Sequence, residues 1–393
     1  KPEQEKYIIK KLEEGTQKIT PENKITEVMK ERVKDRPFVN PLTIRRPKDL
    51  PPELVFSSDK KIATRQAAGI WLEWLMKQTA FLWVGAGDLG GSVNTSAAEK
   101  IYGTINKNNP YGRGIKFGIA EQNMAMMSAG MSSDILPGGY QPVSVFGTFA
   151  VFTTMMGNCL RLATINNQIN PNQKGFFISL ATHDGPETGE DGPTHQGLYW
   201  MSLYQALPGI KVYKPNDANE TIEMLFYSLE KGEPIIISLS REATTVWDRK
   251  NIAPAIAANN GAYIFQDYKN NNLLKKVIAV SGPMLLENIV TALPELEKKL
   301  NIKIIAATSP ELFSELQKTD PEEAKKILSE EEKENIITLH NGWDEFLKDF
   351  ILTRKQNTQK IGISKYLRSG KAKDVYENIN LDAKGLIKTI LEM

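Results

Sequence analysis

From about Ile62 onward, short apolar runs alternate with stretches whose apolar residues recur every three or four positions. The runs at 80–84, 142–146, 175–180, 210–213 and 235–240 are too short for helices and are bounded by turn residues, so they read as strands. The segments 62–78, 121–130 and 219–229 between them carry a helical period. This order predicts an α/β domain with a largely parallel sheet. After about Pro254 the alternation restarts, with strands at 276–280, 302–307 and 336–340 and a helix at 285–300. The charged stretch 316–334 reads as a solvated helical face. The fold class is therefore α/β with two doubly wound domains, the second smaller. Residues 1–60 differ. Thr20-Pro21-Glu22 reads as a helix start, with polar helical sequence to about residue 34. Pro37, Pro41, Pro47, Pro51 and Pro52 then mark an extended linker rather than core. The expected division is 1–60, 61–255 and 256–393.

Composition narrows the function classes. Lysine plus arginine number 49 against 47 acidic residues, so nothing electrostatic favours nucleic acid or an anionic membrane as the main partner. No run of about 18 apolar residues exists to cross a bilayer. The charged N-terminal stretch has no apolar core of a signal sequence. Cys159 is the lone cysteine; its apolar surroundings predict a buried structural thiol, and the absence of a possible intrachain disulfide fits a reducing cytoplasm. Because the sequence opens on Lys1, a trimmed chain or a piece of a longer polypeptide is expected.

Four features could carry chemistry. Gly85-Ala86-Gly87-Asp88-Leu89-Gly90 fits a dinucleotide fingerprint in letters, but the region about 20 residues on, Lys107-Asn108-Asn109-Pro110, supplies neither the second strand nor the acid that such a site needs. Glycines here still allow close approach to the backbone. In Lys116-Phe117-Gly118-Ile119-Ala120-Glu121 a strand ends at a glycine and a carboxylate opens a helix, where it complements the helix dipole; Met124, Met127 and Met131 on that helix read as packing. The densest segment is 183–196. It holds two of the three histidines, His183 and His195, with Asp184, Glu187, Glu190 and Asp191. Such a polar loop after a strand is where α/β proteins place sites. A metal set of His183, Asp184, Asp191 and His195 matches no standard spacing. Arg65, Ser92 and Arg241 each follow or open an element near these motifs.

Together these residues resemble the transketolase family. Thr182-His183-Asp184 followed by Gly189-Glu190-Asp191-Gly192-Pro193-Thr194-His195-Gln196 is similar to the signature around the transketolase substrate channel. Pro215-Asn216-Asp217-Ala218-Asn219-Glu220-Thr221 continues the likeness. Gly118-Ile119-Ala120-Glu121 resembles the segment holding the family's cofactor-activating glutamate, and Phe146-Gly147-Thr148-Phe149-Ala150-Val151-Phe152 the aromatic stretch against the cofactor's pyrimidine. The likeness runs from about Ile62 to the C-terminus. It is strong to Arg241 and weaker beyond, where the stretch 369–376 also looks familiar.

The resemblance implies thiamine diphosphate as cofactor and two-carbon ketol transfer between sugar phosphates as reaction. It implies that Glu121 activates the cofactor, that Phe149 and Phe152 flank the pyrimidine, and that Asp88 and Leu89 lie near cofactor and subunit interface. His183 and His195 fall where substrate hydroxyls and the developing alkoxide lie, Asp191 on a substrate hydroxyl, and Arg65, Ser92 and Arg241 on the sugar phosphate. Departures are Met155 where the family often has tyrosine, a loop without the usual Ser-Ile pair after His183-Asp184, and an altered turn at 169–174. The family's Gly-Asp-Gly motif and downstream asparagine, which hold the Mg²⁺ (or Ca²⁺) on the diphosphate, are not found. The resemblance thus implies the C-terminal half of a transketolase, natural subunit or fragment, that needs an N-terminal half, works as a dimer of heterodimers, and is inactive alone. A missing half also implies an exposed apolar face. The alternatives are a deoxyxylulose phosphate synthase, a pyruvate dehydrogenase β-type subunit, or a non-catalytic homologue; the joint retention of Glu121, His183, Asp191, His195 and Arg241 argues against the last.

Overall fold

The structure is a computed structural model and describes residues 2–18, 27, 30–31, 33, 35–87, 89–136, 138–188, 191–269, 272–358, 361, 367 and 371–392. Strands β1 (Leu82–Ala86), β2 (Gly114–Lys116), β3 (Val143–Phe149), β4 (Phe177–Thr182), β5 (Lys211–Tyr213) and β6 (Ile235–Leu239) form one parallel sheet in the order β2-β1-β3-β4-β6-β5. β3, β4 and β6 are buried at every position, as central strands covered on both sides must be. Side chains alternate between two cores. Val143, Val145, Ile178, Leu180, Ile235 and Ile237 pack against Trp71, Leu72 and Leu75 of α2 (Thr64–Met76) and Leu225 and Phe226 of α5 (Ala218–Lys231). Phe146, Phe177, Ala181 and Ile236 face the other way, toward Met124 and Ala125 of α3 (Glu121–Ser132) and Leu160 of α4 (Gly157–Ile169). Cys159 is buried in this second core, and Met124 is buried while Met127 is exposed.

The second sheet comprises β7 (Ala262–Gln266), β8 (Leu274–Ser281), β9 (Leu300–Ala307) and β10 (Ile336–His340), in the order β10-β8-β9-β7. β8 pairs parallel with β9 and β10; β7 closes the edge antiparallel. Helix α6 (Pro283–Leu296) covers one face, while Ile305, Ala307, Phe313 from α7 (Pro310–Thr319), Phe346 and Phe350 join the same core as Phe146 and Tyr204. The two sheets therefore share one continuous apolar layer.

One expectation for the N-terminal region needs correction. Residues 36–56 are extended, as the prolines require, but they are not excluded from the core. Leu54 is fully buried, and Leu42, Ile44, Leu50 and Phe56 pack on the first core, while Phe38 sits edge-on to Phe81 with ring centroids 4.7 Å apart. The Arg46 guanidinium grips Glu223 of α5 with Nε–Oε2 2.6 Å and Nη2–Oε1 2.7 Å. Residues Pro2–Lys18 form helix α1, which the apolar pattern does not predict; its glutamate, lysine and glutamine content favours helix by intrinsic propensity. The helix start at Thr20-Pro21-Glu22 lies outside the described residues.

The hinge between the sheets is polar. Asp217 caps α5 by accepting from Glu220 N at 2.8 Å, and Glu220 Oε1 accepts from Tyr263 Oη of β7 at 2.5 Å. Arg249 Nη2 spans both carboxylates, 2.5 Å from Asp217 Oδ2 and 2.9 Å from Glu220 Oε1. Both acids are fully buried. Against the cost of burying Arg249 itself, the negative charges of Glu220 and Asp217 raise the guanidinium pKa. Removing one partner of such a buried pair leaves uncompensated charge. Arg249→Ala is expected to destabilise the chain by about 3–5 kcal/mol, read as a shift in the urea midpoint; a shift no larger than that of an exposed arginine substitution would contradict the network.

Candidate active site

The carboxyl ends of β1, β3 and β4 meet the start of α3, and the predicted residues converge there. Glu121 is the first residue of α3 and is buried. Its Oε1 accepts from Thr148 Oγ1 at 3.1 Å. Gly87 makes this possible: a Cβ on Gly87 would lie 2.9 Å from Glu121 Oε1. The glycine-rich turn therefore serves the approach of a carboxylate, not a pyrophosphate. Glu121, Thr148, Phe149, Phe152, His195, Leu89, Val93 and Ile119 line one pocket of about 200 Å³. Its walls are apolar and its acid sits inside, the composition of a small-molecule site.

His183 follows β4 with φ of 57°, a left-handed conformation unusual outside glycine. Its ring stacks on Phe149 with centroids 3.8 Å apart and planes 21° apart. Arg65 Nη1 donates to His183 Nε2 at 2.8 Å and to the Ser92 carbonyl at 2.7 Å. An accepting Nε2 fixes the tautomer: Nδ1 carries the proton and lies 2.9 Å from Thr182 Oγ1, whose hydroxyl donates to the Thr148 carbonyl at 3.3 Å. Burial, then the charges of Arg65 and Arg241, push the His183 pKa down to about 3. The ring is thus a neutral hydrogen-bonding group. His195 stands edge-on to Phe149 and Phe152, at 6.0 Å and 5.3 Å, and its Nδ1 lies 2.9 Å from Thr194 Oγ1.

Arg241 binds the Thr188 carbonyl and lies 3.3 Å from Asp191 Oδ2. Two guanidiniums flank the site closely enough that Arg241 lowers the Arg65 pKa, second to burial. Arg65 Nε is buried without a partner. Like charges and an unsatisfied donor together suit an anion.

The structure thus assembles Glu121, Phe149, Phe152, Leu89 and His195 around one pocket and joins His183, Arg65 and Ser92 beside it, with Arg241 and Asp191 at its rim. Asp88, Gly189, Glu190, Ser369 and Gly370 lie outside the described residues. Asp184 does not join His183 as a metal ligand. Its carboxylate turns the other way, to the Lys214 ammonium and to Trp200 Nε1 at 2.8 Å. Among the described residues no cluster of histidine, cysteine or acids could hold a metal, and no helix is long and apolar enough to cross a membrane. The sequence reading missed Thr148, Thr182 and Lys214. Thr148 stood in the quoted aromatic stretch, and a polar residue inside a fully buried strand was the available signal. At the pocket mouth Ile119 is 83% exposed and Leu89 54%; Met126 and Met127 on α3 are also exposed. Met155, in the tyrosine position, is exposed.

Residues 60–246 match the family model described as the transketolase pyrimidine-binding domain. This span of the chain is a transketolase pyrimidine-binding domain. It is 28% identical to a transketolase of Sinorhizobium medicae over 335 residues, covering 85% of this chain and 44% of that protein. It is 31% identical to transketolase 1 of Saccharomyces cerevisiae over 262 residues, covering 66% and 36%. The chain thus spans less than half the length of the curated relatives it matches. Among solved structures, the Campylobacter jejuni transketolase superposes with a TM-score of 0.65 at 23% identity, covering 93% of this chain and 51% of that one. A split gene transketolase described as an inactive β4 tetramer superposes with a TM-score of 0.52 at 21% identity, covering 84% of this chain and 98% of that chain.

The histidines carry a pH signature. His340, whose Nδ1 lies 3.0 Å from the Trp343 carbonyl oxygen, also has its pKa pushed to about 3, by burial and then by Lys214. The unfolded chain takes up protons near pH 6.5 and the folded chain does not, so stability falls as pH drops below about 6.5. Each histidine is expected to cost roughly 2 kcal/mol by pH 5. Ring-proton NMR should find both neutral at pH 5, and His340→Gln should flatten the stability curve between pH 6.5 and 5; His183 or His340 titrating at 6.5 would contradict the geometry.

Proposed function

We propose that this chain is the C-terminal half of a transketolase, supplying the pyrimidine side of a thiamine diphosphate site to a partner that supplies the diphosphate side. The observation that carries the reading is Glu121, fixed by Thr148 inside an apolar pocket with Phe149, Phe152 and His195. A flat aminopyrimidine suits that pocket: aromatic walls to stack on and a buried carboxyl to share a proton with a ring nitrogen. When bound, thiamine diphosphate supplies the nucleophilic carbon for attack on a ketose carbonyl. Mg²⁺ (or Ca²⁺) on the diphosphate falls to the partner's residues.

The chain's own residues do the rest. Glu121 holds or releases the proton at the pyrimidine. His195 meets substrate hydroxyls and moves the proton of the reacting oxygen. His183, neutral with Nδ1 protonated, orients rather than protonates. Asp191 accepts from a substrate hydroxyl. Arg65 and Arg241, with Ser92, bind the phosphate of a ketose phosphate such as xylulose 5-phosphate or an aldose phosphate such as ribose 5-phosphate. Asp88 and Leu89 border the cofactor. The split gene transketolase described as an inactive β4 tetramer supports self-association and inactivity without the other half. Exposed Ile119, Leu89, Met126 and Met127 provide apolar surface for that half. We further propose that the two halves assemble as a dimer of heterodimers in the cytoplasm.

The test is to mix the chain with a polypeptide carrying the Gly-Asp-Gly motif, thiamine diphosphate and Mg²⁺, and assay two-carbon transfer from xylulose 5-phosphate to ribose 5-phosphate. Activity is expected only in the mixture, and Glu121→Ala should lower kcat by about 10²-fold or more. Turnover by the chain alone, or CO₂ release from pyruvate by the mixture, would overturn the reading.

A further inference from the structure

At the end of β4 two consecutive side chains leave in opposite directions. The left-handed backbone at His183 sends its ring over Phe149. Asp184 turns into the body of the chain and is buried, 5% exposed. Its Oδ1 accepts from Trp200 Nε1 at 2.8 Å and its Oδ2 is paired with the Lys214 ammonium. Lys214, at 1% exposure, is among the most deeply buried side chains of the molecule. Neither group touches the pocket.

The second sheet braces this pair from behind. Lys214 N donates to the Thr308 carbonyl, just past β9, at 2.7 Å. Gly282, at the end of β8, lies close against the pair: a Cβ there would lie 3.2 Å from Lys214 Cε and 3.0 Å from Asn341 Oδ1. Past β10, Asn341 Nδ2 lies 3.4 Å from Glu187 Oε2, and Trp343 N donates to the Leu198 carbonyl at 2.8 Å. Thus the carboxyl ends of β8, β9 and β10 all meet the back of the loop whose front carries His183 and His195. Stability alone does not call for a buried ion pair, since apolar side chains of similar volume commonly serve as well. What an ion pair adds is a fixed direction for Asp184, and with it a fixed direction for its neighbour. A non-glycine residue with positive φ persists only where its surroundings over-determine it.

We propose that the Lys214–Asp184 pair, braced by the second domain, positions His183 against Phe149, so that Lys214 is a positioning residue for the site and the second domain a support for the site loop. The catalytic consequence rests on the transketolase reading; the conformational one does not.

With three histidines in the chain, the His183 ring protons can be assigned by single substitutions, and stacking on Phe149 gives them an upfield ring-current shift. Lys214→Met alone strands a buried carboxylate, so the decisive variants are Asp184→Asn/Lys214→Met, which removes both charges, and Lys214→Arg, which keeps the pair. The double variant is expected to keep its circular dichroism and a cooperative melt yet lose the upfield shift of His183; Lys214→Arg should retain it. In the mixture with the diphosphate-binding half, the double variant should lose about tenfold to a hundredfold in kcat, with KM for the sugar phosphates changed far less. A folded double variant with an unaltered His183 shift would overturn the proposal, as would failure of both variants to fold, because the pair would then serve the fold as a whole. If the wild-type mixture transfers no two-carbon unit, the function reading fails while the NMR comparison still decides this one.

Discussion

The organising constraint of this chain is the burial of charge between two sheets that share one apolar layer. Lys214 and Asp184 pair where water cannot solvate them, and the buried Asp217 and Glu220 meet the largely buried Arg249. In such surroundings an ionised group must meet its counter-charge with good geometry or the interface does not close. The relative placement of the sheets is thereby set by directional contacts, which apolar packing cannot supply. The site loop between β4 and Trp200 inherits that definition, because Asp184, Glu187 and Leu198 each contact the second sheet's neighbourhood.

On the opposite side the first sheet achieves a close approach by omission. Gly85 has no room for a Cβ, which would lie 2.3 Å from a Phe117 ring carbon, and Gly87 has none because of Glu121. The strand end is bare so that the start of α3 can settle against it. The carboxylate, the stacked rings and the guanidiniums then come from five separate stretches of chain, each delivered at the carboxyl end of a strand or beside one.

Much of this was legible in the sequence. Every strand expected between residues 80 and 340 forms within a few residues of its expected place, because short buried apolar runs between turn residues leave little alternative. Glu121, His183, His195 and Phe149 came from motif resemblance, and the geometry brings them together. Lys214 was not legible: thirty positions separate it from Asp184, and a lysine beside a proline looks like a solvated turn. Thr148 was hidden for a similar reason, since its role exists only once α3 is folded back. The stretch 36–56 misled because prolines announce an extended chain but not whether that chain lies on a core; Leu42, Ile44, Leu50 and Leu54 have no period to betray their burial. The tautomer of His183 depends on three partners from three elements, and no local pattern encodes it.

The two guanidiniums beside the pocket are not idle in this state. Arg65 is engaged by His183 and the Ser92 carbonyl, and Arg241 by Thr188 and Asp191. An anion arriving at the two Nη1 groups therefore meets donors already in use, so binding there is an exchange of acceptors, while Arg65 Nε, buried without a partner, is open to a new contact. Exchange reactions yield little net free energy for the anionic group itself. A ligand offering only charge would gain modestly, while one that also engages the freed His183 Nε2 and the Asp191 carboxylate would be compensated at both ends. Discrimination between a bare anion and a polyhydroxylated one is in this sense wired into the resting hydrogen bonds of the loop.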